Sequence, residues 1–220
     1  MKSLFSIIFS KKVKYSLILI FLFFIYISIN AISYANYISN DIAESVFRLH
    51  VIANSDSAED QNLKYIVRDN IIAYMNKINN ATNKSDVINL AKEHLNDFKK
   101  IAQQTVFDEG YNYSVSVEIG NFNFPTKHYG DISLPSGNYD ALQIKLGSAK
   151  GQNWWCVMFP PLCFVNVSSG IVPDDSKKMM KHELSNESYQ IISDTNSSEV
   201  KFKFKLLEWL QDVNILTANK

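Results

Sequence analysis

Asp56, Glu59 and Asp60 stand within five residues, close enough to share a proton, act as a base or hold a cation. The same residues suit the first turn of a helix, where acids meet the positive end of the dipole. Ser57 followed three positions later by Asp60 resembles a capping box, and capping is the expected role. Lys64 and Arg68 follow on that helix, one and two turns beyond Asp60, and either could pair with it, although a solvated face is the expected place of Lys64. Arg48 and His50 share one side of an upstream strand, and Arg48 is expected half-buried, facing the acidic turn.

Other chemistry finds little footing. His50, His94, His128 and His182 are scattered singly, so no zinc motif is present and no metal is expected. No nucleophile elbow, phosphate loop or Gly-rich nucleotide fingerprint occurs, and no cofactor is expected. The densest segment is Asn153 to Phe164, NWWCVMFPPLCF, which holds both cysteines. A Pro-Pro turn at Pro160 and Pro161 could bring Cys156 and Cys163 to bridging distance, or both could be buried free thiols. Trp154 and Trp155 must point to opposite faces of a regular strand. One is then core, and the other is either covered by a helix or exposed as an anchor for a partner.

The positioning elements follow from periodicity. Val46–Ala53 alternates and reads as a strand. Leu63, Val67, Ile71 and Met75 form one stripe of a helix, and Val87 to Val106 forms another that Asn83 and Asp86 can cap. Tyr113–Ile119, Tyr139–Leu146 and the tryptophan segment read as further strands. The expectation is an α+β fold: an antiparallel sheet of four to five strands, a two-helix layer on one face, and a C-terminal helix. Residues 46–213 make one domain, with 166–199 loop-rich and 214–220 a tail.

The N-terminus belongs to something else. Lys2, Lys11, Lys12 and Lys14 precede an uncharged apolar run from Tyr15 to Ile29, and Ser33-Tyr34-Ala35 offers a cleavage site. Residues 1–35 are therefore a signal peptide or a membrane anchor, with contact through 15–34 if uncleaved, and 36–45 is a polar connector. Four of the 22 basic residues and none of the 22 acidic ones precede Ala35. The exported body carries 18 against 22, a net of −4, which argues against nucleic acid.

Several motifs then become recognisable. Arg48 to Ser57, with Asp60-Gln61, Lys64 and Val67-Arg68-Asp69, resembles the stage II sporulation protein R family. Phe124-Pro125-Thr126-Lys127, Tyr129-Gly130, Pro135, Gly137 and Tyr139 follow in the same order. So do Gly151, Asn153 to Val157, Phe159 to Cys163, and the closing Phe202 to Trp209. His50 stands where relatives often carry Arg, Lys or Tyr, so the ring is assigned no role.

The resemblance implies a non-enzymatic signal. It would be secreted from the forespore into the space between forespore and mother-cell membranes. There it would activate a membrane-embedded aspartic protease that processes the pro-form of the early mother-cell sigma factor. Two alternatives remain: a cell-envelope hydrolase using Asp56 and Asp60, and a non-signalling envelope module. The expected partner surface is Asn54, Ser55, Asp56, Asp60, Arg68, Trp154, Pro160 and Pro161.

Overall fold

A computed structural model of the chain describes residues 11–163 and 172–193. Its elements are α1 (Lys11–Ser45), β1 (Phe47–Ile52), α2 (Ala58–Ile78), α3 (Lys84–Glu93), α4 (Leu95–Asp108), β2 (Val115–Phe124), β3 (Lys127–Tyr129), β4 (Ile132–Leu134), β5 (Gly137–Leu146), β6 (Asn153–Phe159), α5 (Asp174–Glu183) and α6 (Asn186–Ser193). The α+β class and the two-helix layer are as expected. The C-terminal helix and the 214–220 tail lie outside the described residues.

Four strands form one sheet in the order β2-β5-β1-β6, and β3 and β4 form a separate hairpin. The pairs β1–β6 and β2–β5 are antiparallel, whereas β1 and β5 run parallel, Leu49 opposite Leu142 and Val51 opposite Ile144. The sheet is therefore mixed and not a meander. β1 is inserted between β5 and β6, strands that are consecutive in sequence. The expectation failed because local alternation fixes which residues share a face but not which strand lies alongside.

Val51 and Trp154 are cross-strand partners and share a face. Tyr65 and Arg68 of α2 contact Trp154, so the helix layer covers that face. Leu49, Leu142, Ile144, Leu63, Val67, Phe98 and Ala102 are fully buried in the resulting core. Ser57 caps α2 through Asp60 N–H, and Asn83 caps α3 through Asp86 N–H at 2.9 Å. The second helical stripe is interrupted at His94, whose carbonyl accepts from Asp97 and Phe98 N–H.

Two segments differ from their expected roles. The connector 36–45 is the end of α1, and Ile38 and Ile42 on it are buried in the core. Lys84 Nζ bonds the Ala43 carbonyl and the Asp140 carboxylate, both at 2.7 Å, and so fastens this helix end to α3 and β5. The loop-rich stretch 166–199 contains α5 and α6, with Met180, Ile191 and Ile192 buried. Their apolar positions are few and spaced by serine and lysine, which hides the stripe. Upstream, Tyr15 to Tyr34 of α1 is apolar and almost entirely exposed. By length and composition it can cross a bilayer, as a signal peptide or a membrane anchor does.

Candidate functional site

The turn after β1 is held by its own side chains. Asp60 is buried, and its Oδ2 accepts from Asn54 Nδ2 at 2.9 Å and Ser55 Oγ at 2.5 Å. Gln61 Nε2 donates to the Ser55 carbonyl at 2.8 Å. Asn54 Oδ1 accepts from Ser148 N–H at 2.9 Å, and Asp56 Oδ1 from Gln152 N–H at 2.7 Å. The β1–α2 and β5–β6 turns are thus sewn together. Gly147 has φ +56, and a Cβ there would strike Asn54 Oδ1. A Cβ at Gly151 would strike the Ser55 carbonyl.

The electrostatics agree with a structural role. Burial alone would raise the Asp60 pKa, but the Ser55 and Asn54 hydrogen bonds outweigh it and hold the carboxyl below its ordinary value. A carboxylate held this low is a weak base near neutrality. Among the described residues, no three His, Cys, Asp or Glu side chains gather as a metal site. Asn54, Ser55 and Asp60 present a loop shape outward, and only Asp56 of the four is exposed.

The two tryptophans do face opposite ways. Trp154 lies under the Arg68 guanidinium, 4.3 Å from ring centroid to Cζ, with Tyr65 edge-on at 5.5 Å. Arg68 pairs with its neighbour Asp69 and makes no ion pair with Asp60. Trp155 stacks on His50 at 3.7 Å and meets Phe124 edge-on at 4.6 Å. Both indoles are half-buried. They share the wall of a cleft of about 390 Å³ between α2, the β3–β4 hairpin and the first half of β6. Lys64, Tyr65, Lys127 and Tyr129 also line it.

Cys156 and Cys163 are bridged, Cα atoms 5.1 Å apart, and both border this cleft. Pro161 is exposed at the turn between them, but Pro160 is buried and offers a partner little surface. Lys64 is not on a solvated face. It is 1% exposed and donates to Gln61 Oε1 and to the Gln152 carbonyl. Burial lowers its pKa, since the charged form is the one desolvated.

Arg48 departs furthest from expectation. It is fully buried and, among the described residues, pairs with no acid. Its guanidinium sits 4.1 Å from the Phe124 centroid and 4.8 Å from that of Tyr139, and Nη2 donates to Tyr129 Oη at 2.6 Å. Aromatic faces replace the expected carboxylate, by cation–π attraction that is strongest when desolvated. Tyr129 in turn donates to the Trp155 carbonyl at 3.3 Å, which lays the hairpin across this face.

His50 completes a buried polar row. Gln143 Nε2 donates to its Nδ1 at 2.8 Å, so Nε2 carries the proton and donates to Asn153 Oδ1 at 2.7 Å. Burial lowers the His50 pKa to about 4 and keeps the ring neutral, as this arrangement requires. The ring thus has a structural task that its position in the sequence did not suggest. Lys127, Tyr129 and Asn153 enter the sequence reading only as parts of family-like motifs without a role, and Gln143 is not named in it. Alternation places Gln143 and Asn153 on strands, but nothing local brings either to His50.

The family model described as Stage II sporulation protein R matches residues 43–169. The chain is also 33% identical over 187 residues to the Stage II sporulation protein R of Bacillus subtilis (strain 168), covering 78% of this chain and 83% of that relative. No solved structure matches.

Proposed function

The chain belongs to the stage II sporulation protein R family, and from that membership we propose that it is an exported signal that activates a membrane-embedded aspartic protease of the mother cell. That protease would then convert the pro-form of the early mother-cell sigma factor. The observation supporting this reading is the family match itself, which spans β1 to β6 and every residue of the cleft. The apolar N-terminal helix fits delivery from the forespore into the space between the two membranes. Activation by a binding protein requires differential affinity: the signal must hold the protease's active arrangement more tightly than its resting one.

Expression of this chain with its protease and pro-sigma factor in a non-sporulating host tests the proposal. Shortening of the sigma factor only when all three are present is the expected result. Shortening without this chain, or none with it at normal protein level, would overturn the reading. The hydrolase alternative fares worse, because Asp60 is buried and fastened to Asn54 and Ser55.

A further inference from the structure

Resting on that reading, we propose that the cleft beside β6 takes an acidic, extended peptide segment of the partner protein. Charge carries the argument first. Among the described residues the cleft is lined by Lys64 and Lys127 and by no Asp or Glu. Lys64 is 1% exposed, and among the described residues its hydrogen bonds reach an amide oxygen and a backbone carbonyl but no carboxylate. A buried ammonium ordinarily has an anion beside it. Lys127, half-buried at the rim, forms no ion pair among the described residues. The nearby acids make no ion pair with either lysine: Asp56 acts on the Lys64 ammonium only from a distance and accepts from Gln152 N–H, Asp69 pairs with Arg68, and Asp131 pairs with Lys177 and accepts from Val172 N–H.

Shape decides what kind of anion fits. Among the described residues β6 ends the sheet, with the Trp155 and Val157 carbonyls already accepting from Tyr129 Oη and Leu162 N–H. An extended peptide laid along this edge is held by its side chains in the cleft and by the backbone groups that remain, not by a full ladder. Tyr65, Trp154 and Trp155 give flat apolar walls for those side chains. Trp154 Nε1–H lies buried behind this wall, with no acceptor among the described residues. A nucleic acid would need a wider basic surface than an exported body of net −4 offers.

The test uses the full-length protein in detergent micelles and a dye-labelled eight-residue peptide alternating Glu with Val, blocked at both ends. A Gln-for-Glu version is the neutral control, and binding is read by fluorescence anisotropy. Saturable binding of the Glu peptide, about tenfold or more tighter than the Gln peptide and weakened by salt, is expected. Lys127→Glu should weaken it by about tenfold. Lys77→Glu, about 18 Å along α2 from Tyr65, should leave it within about twofold. Equal binding of the two peptides, no effect of Lys127→Glu, or displacement by inorganic phosphate at matching concentration overturns the proposal. The two peptides on unmodified protein decide the matter even if a variant folds poorly. Sigma-factor processing by the wild type with no acidic-peptide binding overturns the cleft alone. Absence of processing with peptide binding intact overturns the protease reading alone.

Discussion

Replacing Asp60 by Asn tests whether the turn after β1 is scaffold. Asp60 Oδ2 accepts two hydrogen bonds, from Asn54 and Ser55. Hydrogen bonds to an ionised acceptor contribute about 1.5–3 kcal/mol each, roughly twice the neutral value. Asn can keep both bonds only with its carbonyl oxygen at that position and without the charge. About half of each contribution is then lost, and the expected cost over the two bonds is about 1.5–3 kcal/mol. For a chain of this size that lowers the melting temperature by roughly 5–10 °C. Urea unfolding followed by tryptophan fluorescence at pH 7 measures it, with the slope unchanged.

The sign with pH is equally specific. Asp60's folded pKa lies below its unfolded value of 3.8, so its stabilisation is complete above that value and lost as pH falls through the folded pKa. Wild type and variant should therefore converge in strong acid. A cost under about 0.5 kcal/mol at pH 7, or a gap constant down to the most acid pH, would refute the reasoning. So would a variant of wild-type stability that no longer signals, because the scaffold role confines Asp60's influence to the folded population.

Three further outcomes are expected. His50 has a folded pKa of about 4 against 6.5 unfolded, so stability should fall as pH drops from 6.5 towards 4, by on the order of 2–3 kcal/mol, and His50→Gln should remove that slope. Replacing Cys156 and Cys163 together by Ser opens a loop whose ends are 7 positions apart; chain entropy makes this cost about 2.5 kcal/mol, read by urea midpoints against the oxidised wild type. Ile42→Ala, in the helix end once read as a connector, should cost about 3 kcal/mol because the side chain is fully buried; a change within error in the same assay would detach that segment from the core.

Legibility in the sequence divides by range. Ser57 and Asn83 cap their helices as read, since a capping signal spans three residues and carries its own partners. The tryptophans face opposite ways because the strand period is two. Gln143 lies 93 positions from His50, and Tyr129 lies 81 from Arg48. Nothing near Arg48 in the chain announces that Phe124 and Tyr139 will enclose it. Reading it as half-buried beside an acid followed the general rule that buried charges are paired, and the aromatic cage is the exception that rule omits. Lys64 misled for the opposite reason. Its helical spacing admits a wet face, and only the approach of Gln152 from the β5–β6 turn closes it in.

These long-range contacts also explain why recognisable segments and the proposed docking cleft adjoin without coinciding. Asn54 and Asp56 draw Ser148 and Gln152 into place, Asp60 fixes Asn54 and Ser55 from behind, and Gln152 holds Lys64 at the cleft wall. Arg48 orients Tyr129, which fixes the hairpin that carries Lys127 to the rim. The polar motifs therefore act one step behind the surface: they set the distance between two lysines and two tryptophans. A partner reading that surface would respond to Asp60 or Arg48 only through the shape they maintain, and to Lys127 directly. Disabling substitutions in the first group should lower stability and signalling together, while Lys127 should separate the two.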